Sequence, residues 1–179
     1  RLLGSERTLL LSDGKLSLNP AVCWVDVWTF ERLLGRLDDL IKLSITTGAE
    51  STQAIARLAA RVSAHYRGPF LGGETNAAWA IAPRERLLSK FLCQLGTLGR
   101  YWESAGEWGR AAETYQKAID VSHLTEEYYQ RLMLVYRTLG HHSEALSVYQ
   151  RCRETLLASL GRPPSPGIEA LHRELETAR

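Results

Sequence analysis

The side chains of this chain that could carry out chemistry are five histidines, three cysteines and a few adjacent carboxylates. His141 and His142 are neighbours, and neighbouring side chains on a helix or turn diverge rather than converge on one ion. They read as a solvated turn. His65, His123 and His172 stand alone, without a Cys or carboxylate at ligand spacing. Cys23, Cys93 and Cys152 are widely spaced and include no Cys-x-x-Cys pair. Zinc requires clustered ligands, so each reads instead as a small apolar side chain. Glu126-Glu127 and Asp38-Asp39 read as first-turn charge and a solvated helix face, and a carboxylate pair alone is weak grounds for acid–base catalysis. Gly72-Gly73 precedes no Gly-Lys-Ser/Thr phosphate loop. No Ser occupies a Gly-x-Ser-x-Gly elbow. The expectation is therefore no enzyme, no metal and no cofactor.

Composition narrows the class further. A chain of 179 residues buries roughly 70% of its unfolded surface when compact, so a core needs no disulfide staples. Hydrophobic residues make up 45% and charged residues 23%, with a net charge of +2. That is far from the strongly basic footprint of a stand-alone DNA-binding domain. No signal-peptide pattern or long apolar run is present, which predicts a cytoplasmic protein. The start at Arg1 without a Met predicts a piece of a longer chain.

The elements come in two kinds. In "RTLLLSDGKLSLNP" (Arg7–Pro20), Leu9 and Leu11 alternate before Asp13-Gly14, and Leu16 and Leu18 after it. Asp-Gly between alternating runs predicts a hairpin with positive φ at both central residues. Two strands alone are marginal in water, so this hairpin must lean on something. From Asp26 the period becomes helical. Phe30, Leu33, Leu34, Leu37, Leu40 and Ile41 fall on one face, and Gly48 closes the segment. Ser51 is the expected cap of a second helix carrying Ile55, Leu58, Ala59 and Val62. Gly68–Pro83 reads as a loop packed down by Phe70, Leu71, Trp79 and Ile81.

Pro83 begins a long helix reaching to about Ala105. After Gly106 comes a shorter helix with Ala111, Tyr115, Ala118 and Ile119. Thr125 is the expected cap of the next, with Tyr129, Leu132, Tyr136 and Leu139, and Gly140 breaks it. Ser143 is the expected cap of a helix with Ala145, Tyr149, Cys152, Leu156 and Leu160, which Gly161 ends. Ser165 caps and Pro166 opens a final helix that docks through Ile168, Leu171 and Leu175.

"GEWGRAAETYQ" (Gly106–Gln116) and "GHHSEALSVYQ" (Gly140–Gln150) share Gly, Ala, Tyr and Gln at an offset of 34 residues. That period, in helix–turn–helix units, is the tetratricopeptide pattern. Ala111 with Ala118 and Ala145 with Cys152 let paired helices approach. Trp102 with Tyr115 and Tyr136 with Tyr149 fill the gaps, and Leu98 and Leu132 keep the phase. Two regular repeats, a degenerate one over residues 27 to 66 and the terminal helix make a plausible minimum unit, because one repeat cannot bury its own face. The fold expected is all-α, an array of antiparallel helix pairs with a C-terminal capping helix and a short N-terminal β-hairpin.

Five ordered segments carry a more specific resemblance. They are "CWVDVWTFERLL" (Cys23–Leu34), "YRGPFLGG" (Tyr66–Gly73), "RERLLSKFL" (Arg84–Leu92), "EALSVYQRCRETL" (Glu144–Leu156) and "GRPPSPGIEALHREL" (Gly161–Leu175). Together they resemble the bacterial transcriptional activator domain found in winged-helix regulators such as the streptomycete antibiotic regulatory proteins. Two departures are Cys152 in place of the family's usual Ala and the loop Glu74–Ala78, which follows no family pattern. The resemblance implies that residues 1–22 are a hairpin at the end of an N-terminal winged helix, and that residues 23–179 are the activator domain. DNA would then be contacted only through the winged helix. Partners would be that domain, a second copy in a homodimer, or RNA polymerase; no membrane is implied. Trp24 and Trp28 flank Asp26, and they either pack the junction or contact the winged helix.

Arrays of this type bind partners in a groove lined by the first helix of each repeat. The groove positions here are Arg100, Glu103 and Ser104, then Glu127, Gln130, Leu134 and Arg137. Arg100 and Arg137 would either clamp a partner carboxylate or stand as solvated arginines, and the terminal helix is a candidate to fill the groove itself. The alternative function is a tetratricopeptide adaptor that binds a peptide and is unrelated to DNA.

Overall fold

The structure is a computed structural model, and it describes residues 6–47, 52–73 and 77–177. After a 3-10 turn at Glu6–Thr8 come strands β1 (Leu9–Ser12) and β2 (Lys15–Leu18). Helices α1 (Asp26–Thr47) and α2 (Thr52–His65) follow. A second 3-10 turn, Ala78–Ala80, leads into α3 (Ile81–Ser104), α4 (Trp108–Val121), α5 (Glu126–Thr138), α6 (His142–Leu160) and α7 (Pro166–Thr177). The expected stops at Gly48 and cap at Ser51 lie outside the described residues.

The hairpin forms as its Asp-Gly turn requires. Asp13 and Gly14 take φ of 52° and 71°, and Ser12 pairs with Lys15. Leu9 faces Leu18 and Leu11 faces Leu16 across the ladder, so alternation puts all four leucines on one face. That face does not rest on the helices: Leu11 is 75% and Leu16 66% exposed. Asn19 joins the two ends of the hairpin to the turn that leads into α1. Its N–H donates to the Thr8 carbonyl at 2.8 Å and its side-chain amide to the Arg7 carbonyl at 2.9 Å. Its own carbonyl receives the Cys23 N–H at 2.9 Å.

Three helix pairs, α1/α2, α3/α4 and α5/α6, stack with α7 closing the end, the tetratricopeptide-like arrangement expected from the spacing. The small residues sit where the pairs close: Ala111, Ala118, Ala145 and Cys152 are fully buried. The two intra-repeat turns are copies of one another. Gly106 and Gly140 take φ of 72° and 73°. Past each, a 2.9 Å bond runs back to the helix, from the Glu107 N–H to the Trp102 carbonyl and from the His141 N–H to the Tyr136 carbonyl. This is the left-handed glycine stop that satisfies the last carbonyls of a helix. At the other end of the core, Phe30, Tyr66 and Phe91 cluster, with Tyr66 stacked on Phe91 at 4.2 Å. On α7, Ile168, Leu171 and Leu175 are buried.

Several local readings need correction. Thr125 holds the cap position of α5, but its hydroxyl bonds to Ser122 rather than to the helix. His141, not Ser143, precedes α6, and Ser143 lies within the helix with its hydroxyl on Glu144. Leu160 and Leu139, placed on apolar stripes, are exposed because they fall at helix ends beyond the neighbouring helices. The stretch 68–83 is not all loop, since α3 already starts at Ile81. Its apolar side chains divide. Phe70 packs against the core, whereas Trp79 is 68% exposed, and Leu71 and Ile81 are exposed too. Arg84 restrains this stretch, donating to the Phe70 and Leu71 carbonyls at 2.6 and 2.5 Å.

Candidate interaction surface

The first helices of the pairs, α1, α3 and α5, together with α7, are joined by side-chain bonds along one face. Glu31 on α1 receives Lys90 of α3 at 2.6 Å, and Ser44 meets the Tyr101 hydroxyl at 3.2 Å. Between α3 and α5, Arg100 pairs with Glu127 at 3.2 Å and Glu103 with Arg131 at 3.4 Å. The Tyr128 hydroxyl donates to the Leu92 carbonyl at 2.8 Å. Between α5 and α7, Arg137 pairs with Glu174 at 2.7 Å.

The positions predicted for a groove are thus accounted for one by one. Arg100 and Arg137 do not pair with each other's neighbours; each is engaged by a carboxylate of the next helix along. Glu103 accepts from the Tyr115 hydroxyl and from Arg131. Ser104 donates back to the Tyr101 carbonyl at 2.8 Å. Glu127 is the partner of Arg100. Gln130 abuts Gly167 of α7 closely enough that a Cβ there would lie 3.2 Å from its amide nitrogen. Leu134 packs partly buried against the core. The α5 end of the face is therefore covered by α7. Carboxylates Glu31, Glu126 and Glu174, and cations Lys90, Arg131 and Arg162, complete the lacing. Residue spacing alone did not single them out, although charge matching between successive first helices would have.

Glu126 is the fastening point of α7. Its carboxylate receives the Ser165 N–H at 2.7 Å and the Arg162 guanidinium at 2.8 Å. Burial pushes its pKa up, but Ser165 and Arg162 outweigh that and hold it below the ordinary carboxylate value. Tyr149 makes the second attachment, donating to Glu169 at 3.0 Å and stacking on His172 at 3.7 Å. Burial, then the Glu169 carboxylate, raises the Tyr149 phenol.

The tryptophans at the junction separate. Trp24 is 72% exposed and does not pack the junction, while Trp28 is half-buried in the first turn of α1. Trp108, half-buried, packs against the core as the first residue of α4. His141 and His142 do not converge on a ligand; His141 stacks on Tyr136. Among the described residues no cluster of three or more His, Cys, Asp or Glu could hold a metal ion. No helix among them is long and apolar enough to cross a membrane.

No curated protein matches the sequence. Among solved structures, Mycobacterium tuberculosis EmbR in complex with low affinity phosphopeptide is similar in fold, with a TM-score of 0.61 at 17% identity. The likeness covers 96% of this chain and 44% of that one, so the chain spans less than half the length of the EmbR chain. At that identity the likeness shows the fold alone. The sequence itself is more specific: residues 25–176 match the family described as the bacterial transcriptional activator domain. With that match covering most of the chain, and the helix pairs, glycine stops and capping helix in place, the chain belongs to the bacterial transcriptional activator domain family.

Proposed function

We propose that this chain is the interaction module of a cytoplasmic bacterial transcriptional regulator, holding a neighbouring winged-helix domain in place while performing no reaction of its own. Residues 1–22 would be the closing hairpin of that domain and 23–179 the activator domain proper. The observation that carries the reading is the hairpin's bare face. Leu9, Leu11, Leu16 and Leu18 share one side, with exposed Val22 and Trp24 following. A contiguous exposed apolar patch marks an interaction site, and two strands without support are marginal. The Asn19 bonds join the hairpin to Cys23 in the turn that precedes α1. Trp24 and Trp28 are the interdomain contacts, and DNA is reached only through the winged helix. The laced face with Arg100 and Arg137 would serve contacts to a second copy or to RNA polymerase.

The test is a DNA titration at low and high salt with this chain and with a chain extended by the proposed winged-helix domain. Salt-sensitive binding by the extended chain alone supports the reading. If neither chain binds DNA, the transcriptional role loses its support and the peptide-binding adaptor takes its place.

A further inference from the structure

The two most exposed tryptophans occupy matching places in the fold. Trp24 is 72% and Trp79 68% exposed, and each stands two residues ahead of a first helix, α1 at Asp26 and α3 at Ile81. Those helices run parallel, since Glu31 meets Arg86 and Lys90 while Ser44 meets Tyr101 further along. Asp26 lies five residues before Glu31, and Ile81 five before Arg86, so the two helix starts are level. Helices packed side by side stand about 8–10 Å apart. Both lead-ins therefore sit at one end of the array, the end from which the hairpin projects.

The stretch between α2 and α3 passes over that same end. Tyr66 packs on Phe30 and Phe91, and Phe70 meets the Trp79 ring edge-on with ring centres 6.3 Å apart. The Gly72 N–H closes a turn onto the Pro69 carbonyl at 3.0 Å. Leu71, the third residue of that turn, takes φ of 49°, a conformation for which turns ordinarily use glycine or asparagine. An L side chain there carries strain, and such strain gathers at binding surfaces. Arg84 of α3 fixes the turn through the Phe70 and Leu71 carbonyls. Held so, Leu71 is 41% exposed, and Ile81 52%. Core packing thus does not account for a strained leucine at this position.

We infer that Leu71, Trp79 and Ile81 form a second wall of the seat for the winged-helix domain, continuing the surface of Trp24 and the hairpin leucines across the start of α3. This wall rests on the proposed seating of that domain on the hairpin. Continuity selects the occupant: a body resting on the hairpin and Trp24 meets the lead-in of α3 one helix spacing away. A contiguous apolar surface of this kind marks an interface, and tryptophan is the side chain most often dominant in one.

The experiment is hydroxyl-radical footprinting of this chain and of a chain extended by the proposed winged-helix domain, read by mass spectrometry at Leu11, Leu16, Trp24, Leu71 and Trp79. In the extended chain, Leu71 and Trp79 are expected to be protected together with the hairpin leucines and Trp24. Trp79→Ser should raise the undocked fraction about tenfold or more, read as the rate of protease cleavage between the two domains. Leu71→Gly should raise it too. In the 179-residue chain both variants should keep the thermal midpoint within about 2 °C of the parent. If Leu11, Leu16 and Trp24 are protected while Leu71 and Trp79 stay reactive, the second wall is overturned and the hairpin seat stands. If none of the five is protected, both fall. Unchanged cleavage in both variants, or protection of Trp79 that grows with protein concentration and so reports a second copy, also overturns the second wall.

Discussion

Gly99 and Tyr115 are in direct contact: the tyrosine ring lies where a Cβ on residue 99 would be. This lets Tyr115 drop fully into the core of its own helix pair and donate to Glu103 on α3. One repeat later the pattern breaks. Position 133 is a buried Met and position 137 an Arg, so Tyr149 has neither the space nor the carboxylate. It turns instead to α7, to Glu169 and His172. The substitution that denies Tyr149 its local seat is what makes it an anchor for the capping helix.

Gly99→Ala should therefore destabilise the chain by about 1–3 kcal/mol through overpacking, despite the better helix propensity of Ala. Gly35, also inside a helix but with open space where its Cβ would go, is the control. Gly35→Ala should stabilise by about 0.5–1 kcal/mol. Urea denaturation of both variants checks the pair, and equal effects would contradict the contact.

Removing the fastening point of α7 should cost more than its surface position suggests. Glu126→Ala leaves the Ser165 N–H and Arg162 without their acceptor, a loss of about 1.5–3 kcal/mol for a charged hydrogen bond. Hydrogen exchange should show α7 opening while α3 and α4 stay protected. The pH dependence follows from the depressed pKa. The contribution is complete above the ordinary carboxylate value, near pH 4.5, and is lost as pH falls through the lower folded value. In Glu126→Gln this acid-dependent loosening of α7 should be absent.

The arginines of the laced face should contribute little to stability. The Arg100–Glu127 and Arg137–Glu174 pairs are about half exposed on both sides, and such pairs are worth roughly 0–1 kcal/mol. Thermal unfolding of Arg100→Ala and Arg137→Ala should stay within about 0.5 kcal/mol of the parent. If these residues clamp a partner, the double variant loses that binding at unchanged stability; retained affinity would dismiss the clamp.

The bare hairpin makes the opposite kind of prediction. Leu11→Ser with Leu16→Ser should leave the stability of this chain within about 0.5 kcal/mol, because both side chains already face solvent. In a chain carrying the winged-helix domain proposed to seat on this face, the same pair should loosen that domain, read as faster proteolysis between the two. Equal protease resistance would argue that nothing seats on the leucines.

The cysteines should differ in reactivity. Burial pushes the Cys152 thiol up to about 12, so near pH 8 almost none of it is thiolate. Cys93 is exposed on α3. A thiol reagent should label Cys93 promptly and Cys152 only on unfolding, and mass spectrometry of the labelled peptides will tell them apart.

Local patterning was enough to read the repeat. The 34-residue offset, the Asp-Gly turn, the glycine stops at Gly106 and Gly140, the alanine seams and the Pro166 start of α7 are each set within a few residues. They depend on φ preferences and on helical periodicity, which the sequence carries by itself. Who pairs with whom was decided by tertiary structure. Arg100 finds Glu127, Arg137 finds Glu174, and Ser165 finds Glu126 across separations of 27 to 39 residues, where one helix's rotation and offset against another determine reach. Exposure at the ends followed the same rule. Leu11, Leu16 and Trp24 look like core by residue type, yet their burial depends on whether another surface comes to meet them.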